Sequence, residues 1–283
     1  DRRLRFEMGR PQPANAFGMT ASDPVPDGVW HHLAATWDGR EMRLYLNGVL
    51  LQAAAYTGPY SPTTAPLKIG YANAGIGSLR MDVEEVAVYR QSLPPAEILQ
   101  HAYWQTRVPA AIQQALDAGT AALAAGDWPA AEAAFAKMSE SPDADPAYRA
   151  AARIALARTL RSRNQLPAAI AQYAAVFDDP QSPPALREMA ARMCLPDERG
   201  LPEPLVSPSV YQHLLTLAEF EPQEQLRIRL CLAECLLRDG QPAVARRQYE
   251  ACLETPDLAE RDHWDLRLQI AHTHLNSKDY PGA

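Results

Sequence analysis

Lysine is nearly missing from this 283-residue sequence, standing only at Lys68, Lys137 and Lys278, so that almost every basic side chain is arginine. That bias reads as genome composition. Basic residues are also outnumbered, 27 against 34 acidic, for a net charge of −7. Residues 1–104 hold 9 basic and 10 acidic side chains, and residues 105–283 hold 18 and 24. Neither part carries the basic excess of a nucleic-acid footprint, which excludes that class of partner. No run approaches the ~20 apolar residues of a membrane-spanning helix, although 47% apolar content is ample for buried cores. Cysteine is scarce too: Cys194, Cys231, Cys235 and Cys252 are all there is. Cys231 and Cys235 share a helical face at i, i+4, yet no further ligands are spaced around them for a metal. A disulfide framework would not place every cysteine inside helical pattern, so all four read as small buried apolar residues. The opening Asp1-Arg-Arg-Leu-Arg-Phe6 lacks the apolar region of a secretory signal. Tyr280-Pro-Gly-Ala283 reads as the start of a helix. Both ends are those expected of a piece of a longer chain.

What is abundant is repetition. Pro146, Pro184 and Pro222 stand 38 apart, and each opens a helical pattern. Phe135, Tyr173, Tyr211 and Tyr249 keep the same spacing of 38. A fixed period of this size means stacked units, none of which buries its apolar face alone. In one unit, Ile154, Leu156, Ala157 and Leu160 carry the first apolar face. Asn164 ends that helix, and Gly126 and Gly240 occupy the equivalent place in other units, where a left-handed residue suits the helix end. Pro167 opens a second helix, where its missing N–H costs nothing. Ala169, Tyr173 and Val176 form the second face and Pro180 stops it. Each unit is thus a helical hairpin.

These positions resemble the tetratricopeptide repeat family. The matching residues are Gly119, Ala131, Phe135 and Pro142, then Ala157, Ala169, Tyr173 and Pro180, then Ala233, Ala245, Tyr249 and Pro256, with Ala271 and Ala283 in a last, partial unit. Small residues let paired helices approach, and the aromatic fills the wedge between hairpins. The period exceeds the family's usual 34, which implies longer inter-unit turns. The unit from Pro184 to about Glu221 carries Leu195 at a small-residue position and the proline-rich Leu201-Pro-Glu-Pro-Leu-Val-Ser-Pro208, and is expected to be distorted.

Residues 1–104 read differently, with alternation and turn signals. Trp30 to Trp37 predicts a strand, Asp38-Gly39 a tight turn, and Glu41 to Leu46 the partner strand, with Met42, Leu44 and Leu46 on one face. Asn47-Gly48 predicts a second hairpin into Val49 to Gln52; Leu67 to Gly70 and Leu79 to Tyr89 read as further strands, and Pro94-Pro95 opens a short helix. About six or seven strands of this kind argue a β-sandwich. Gly28-Val-Trp-His-His-Leu-Ala34, Trp37-Asp-Gly39, Leu44-Tyr-Leu-Asn-Gly48 and Val83-Glu-Glu-Val-Ala-Val-Tyr89, followed by Leu93 and Ile98, resemble the closing half of laminin-G-like, concanavalin-type jelly rolls. The resemblance implies glycan or surface-protein recognition, an extracellular, periplasmic or cell-surface setting such as a bacterial cell envelope, and calcium as an optional cofactor. Asp23, Asp27 and Asp38, in or beside loops, are the candidate ligands for that ion; turn formation is the plainer role.

No catalytic set emerges. His31 and His32 adjoin on a strand and face opposite ways, as do Glu84 and Glu85; His272 and His274 diverge on a helix. Asp82 and Glu84 share a face roughly 7 Å apart by strand rise, against the ~5–5.5 Å of a retaining glycosidase, and the third acid of the related hydrolase motif is missing. By helical register the inner wall of the repeats carries Arg158, Arg161, Arg227, Glu234, Arg238, His272 and Asn276. The family's clamp for C-terminal carboxylates is not carried over, because Ile154 and Arg158 stand at its first pair of positions.

The expectation is a β-then-α chain of two domains: the C-terminal part of an antiparallel β-sandwich (jelly roll) over 1–104, then an α-helical hairpin solenoid over 109–283, about 4.5 repeats with a 38-residue period. Its function would be non-catalytic, modular binding, with a glycan or surface protein on the sandwich and a protein partner in the groove. A scaffold segment of a larger surface enzyme, and a jelly-roll glycoside hydrolase, are the alternatives.

Overall fold

In the computed structural model, described here for residues 3–8, 17–26, 28–58, 82–103, 108–195, 206–217 and 220–277, five strands precede ten helices. β1 (Arg3–Met8) and β2 (Phe17–Pro24) form one antiparallel pair. β3 (Leu33–Trp37), β4 (Glu41–Leu46) and β5 (Val49–Ala55) form a second antiparallel sheet in the order β3-β4-β5. The helices are α1 (Pro95–Tyr103), α2 (Ala110–Ala125), α3 (Trp128–Ser139), α4 (Pro146–Ser162), α5 (Leu166–Asp178), α6 (Pro184–Met193), α7 (Pro208–Thr216), α8 (Pro222–Arg238), α9 (Pro242–Leu253) and α10 (Glu260–Ser277). The chain is β then α, as its patterning predicts.

The Asn47-Gly48 turn shows why the β4–β5 hairpin closes where it does. Both residues take positive φ, 52° and 77°, the conformation a two-residue hairpin needs. The Asn47 side chain accepts from the His32 backbone N–H at 3.0 Å and donates to His31 Nδ1 at 3.0 Å, while Tyr103 of α1 donates to the Asn47 carbonyl at 3.0 Å. His31 Nε2 in turn donates to the Pro26 carbonyl at 2.9 Å. Burial lowers the His31 pKa below its ordinary value, consistent with a neutral ring that donates at one nitrogen and accepts at the other. α1 lies so close to the turn that a Cβ on Gly48 would come within 2.9 Å of the Leu99 Cα.

Met42, Leu44 and Leu46 are buried on one face of β4, as alternation predicts. Tyr45, on the other face, is buried as well, packed with Leu50, Leu93 and Ile98, so α1 covers that side. Two strand expectations are corrected. The strand foreseen from Trp30 begins only at Leu33. Residues 82–89, read as part of a closing strand, form no strand here; Val83, Val86 and Val88 are exposed and Glu85 sits at φ 54°. Valine-rich sequence becomes a strand only beside another edge, and none is paired with it among the described residues. The strand expected at Leu67 to Gly70 lies outside the described residues, whereas β1 and β2 were not foreseen.

The helical part follows its period closely. Pro146, Pro184, Pro222 and Glu260 open α4, α6, α8 and α10 at the spacing of 38. Gly126, Asn164 and Gly240 close the first helices of three units with φ between 60° and 74°, and Asp127 and Asp145 cap the helices that follow them. Each helix packs chiefly against its neighbours in sequence. Phe135, Tyr173, Tyr211 and Tyr249 are all fully buried. The small-residue rule has a direct geometric form: a Cβ on Gly119 would lie 2.7 Å from the Phe135 ring. α6 and α7 are short, 10 and 9 residues against 17 in α4 and α8. All four cysteines are buried free thiols.

Candidate functional site

Arg158 joins the two parts of the molecule. It stands on the face of α4 that sequence register assigns to the inner wall of the array, but its guanidinium is already spoken for. Nη1 pairs with the Asp23 carboxylate of β2, and Nη2 donates to the Leu51 carbonyl of β5 at 2.6 Å. Both acceptors sit at irregularities of the sheets. In β4–β5 the register runs Leu44↔Gln52 and then Tyr45↔Leu50, which leaves Leu51 as an extra residue. In β1–β2 it runs Arg3↔Pro24 and then Arg5↔Thr20, so Ala21, Ser22 and Asp23 oppose Leu4 alone. A bulged residue is released from the ladder and re-aimed; here two bulges turn toward one arginine. The pair is largely removed from water, with side chains 17% and 10% exposed, so each charge depends on the other for its solvation.

Beside this junction lies a cleft of about 480 Å³, bounded by β5 (Leu50 to Ala53), by Leu123 and Ala124 at the end of α2, by Trp128 at the start of α3, and by Asp23, Arg158, Arg161, Ser162 and Tyr173. That volume is within the range of small-ligand sites. Trp128 is half-buried. Arg161 is exposed, and among the described residues its guanidinium reaches only the Met193 sulfur, at 4.0 Å. Tyr173 is buried, and among the described residues its hydroxyl has no hydrogen-bond partner. Burial pushes its pKa up to about 12, so the hydroxyl keeps its proton and remains a donor.

Of the residues assigned to the inner wall, then, only Arg158 and Arg161 line the cleft. Glu234 is taken up inside its own unit, accepting from the Tyr249 hydroxyl at 2.6 Å. Arg238 donates to the Val206 carbonyl at 3.0 Å. Arg227 is half-buried on α8 and His272 is exposed on α10. The side chain of Asn276, also on α10, lies outside the described residues.

Two of the three calcium candidates have other partners. Asp23 is engaged by Arg158, Asp27 lies outside the described residues, and Asp38 accepts from the backbone N–H groups of Arg40 and Glu41 at 2.9 and 2.8 Å. Burial pulls the Asp38 pKa up, but those N–H donors and Arg43 hold it below the usual carboxylate range. A carboxylate committed to an arginine and another committed to its own turn do not fit a shared ion, and among the described residues no group of three or more His, Cys, Asp or Glu could hold one. Asp82, Glu84 and Glu85 lie exposed on segment 82–89.

The contributions of Trp128, Tyr173 and the β5 bulge were not foreseen. Trp128 did leave a signal: one and three periods further on its place is held by Leu166 and Pro242, so the repeat does not require an aromatic there.

Fold and site together define a β-then-α protein with a cleft at the junction of its two parts. Residues 1–99 match the family described as the concanavalin A-like lectin/glucanases superfamily, which takes in all five strands and most of α1. No curated protein and no solved structure matches the chain. Among the described residues no helix is long and apolar enough to cross a membrane.

Proposed function

We propose that this protein is a non-catalytic binding module that recognises carbohydrate at the junction between a laminin-G-like sandwich part, residues 1–104, and a tetratricopeptide-like helical array, residues 109–283. The observation that carries the reading is the seating of Arg158 on Asp23 and Leu51, which sets a strand edge beside the inner wall of the array and leaves a cleft between them. The superfamily match supplies the class of ligand. The fully buried aromatics at a spacing of 38 support the tetratricopeptide reading of the array. Away from the cleft, Arg227 and His272 remain available on that array for a protein partner. Calcium has no assembled site in this account, and the cell surface or periplasm is the setting proposed for it.

The test is a glycan array probed with the full chain and with Arg158→Glu. Charge reversal sets two carboxylates against each other and should open the junction while helical circular dichroism stays intact. Glycan binding that disappears in the variant supports the reading; undiminished binding contradicts it.

A further inference from the structure

The cleft carries more chemical information than its shape. Asp23 and Arg158 neutralise one another, which leaves Arg161 as the uncompensated charge on the lining. Tyr173 adds a hydroxyl that is buried without a partner, and such an orphan costs free energy until an acceptor reaches it. Gln52 and Ser162 extend the hydrogen-bonding set, and Trp128 provides a half-buried aromatic wall. The unmatched demand is thus for one negative charge and additional acceptor oxygens, carried on a body able to lie against an indole.

From this we infer that the cleft binds an acidic saccharide, with a uronate carboxylate held by the Arg161 guanidinium and the Tyr173 hydroxyl and a sugar ring packed on Trp128. Arginine presents two parallel N–H donors that match a carboxylate. A single unpaired cation suits a monoanionic carboxylate better than the higher charge of a phosphate. A sugar ring offers both an apolar face for Trp128 and hydroxyls for Gln52 and Ser162, whereas an acidic peptide would supply the charge without the ring. The inference rests on the proposed carbohydrate-binding role of the junction and adds the charge of the ligand and the residues that read it.

Calorimetric titration of the full chain tests it with three probes: an oligosaccharide containing glucuronate, the same oligosaccharide with its carboxyl groups reduced to alcohols, and a hexaglutamate peptide. Free glucuronate in a parallel titration separates recognition of the lone acid from recognition of a chain. The expected result is binding of the uronate oligosaccharide, about tenfold or more weaker binding of its reduced form, and a comparable loss in Arg161→Gln. Tyr173→Phe should lose several-fold with no loss of melting temperature, because only an unpaired hydroxyl is removed. Equal binding of charged and reduced sugars, with a loss in Trp128→Ala, would overturn the acidic class while sparing the carbohydrate reading. Preference for hexaglutamate would overturn the saccharide and carry the carbohydrate reading with it. No binding of either sugar, or full binding by Arg161→Gln, would overturn the inference outright.

Discussion

The two parts of this molecule bury apolar surface by different means. In the helical array no aromatic of the series Phe135, Tyr173, Tyr211 and Tyr249 exceeds 1% exposure. The β part closes Met42, Leu44 and Leu46 equally well, yet leaves Trp30 62%, Leu33 49% and Val88 80% exposed. A repeat unit finds its partner one period away, so its burial is a local problem solved the same way each time. A strand needs a neighbour that can lie anywhere in the chain, and an edge without one keeps its apolar side chains in water. Even the array shows the rule at its last described helix, where Trp264, Leu268 and Leu275 of α10 form an exposed stripe.

The largest expected effect is in the array. Tyr249→Ala removes a fully buried ring and strips Glu234 of its hydroxyl donor, and should cost about 3–5 kcal/mol in chemical denaturation. A loss below about 1 kcal/mol would mean that the wedge is not what holds the units together.

This contrast also explains what was legible beforehand. Helix starts at Pro146, Pro184 and Pro222, and the left-handed ends at Gly126, Asn164 and Gly240, follow from local chemistry that any one unit displays. The Asn47-Gly48 hairpin was readable for the same reason. Val83, Val86 and Val88 misled because strand propensity reports a preference for pairing and not the presence of a pair. For the site, register placed Arg158 and Arg161 on the inner wall, and the jelly-roll resemblance drew attention to Asp23 as a candidate calcium ligand. That the first and last of these meet could not be read, since it depends on two bulges that no residue pattern announces. Tyr173 was assigned to packing alone; its unpaired hydroxyl emerges only when its surroundings are known.

A smaller effect is expected where the β part depends on α1. Gly48→Ala places a Cβ against Leu99 and strains a residue held at φ 77°, for a loss of about 1–3 kcal/mol. Denaturation followed by tryptophan fluorescence should detect it, and an unchanged midpoint would show that α1 does not press on the turn. The smallest effect is of pH. Burial depresses His31 below its ordinary value of 6.5, so the unfolded chain binds the proton more readily than the folded one. Its contribution to stability is therefore complete above about pH 6.5 and declines as pH falls through that value. Melting of His31→Gln alongside wild type between pH 8 and 5 would show a shallower decline in the variant; identical slopes would remove His31 from the account.

The most direct test of the central claim, that the two parts meet through Arg158 and Asp23, is a double-mutant cycle. Urea unfolding would be followed for wild type, Asp23→Ala, Arg158→Ala and the double variant, by helical circular dichroism and by tryptophan fluorescence. The account predicts a coupling of about 1–3 kcal/mol between the two sites, and transitions by the two probes that coincide in wild type and separate once either partner is removed. Additive losses, with the two transitions unmoved relative to each other, would contradict it.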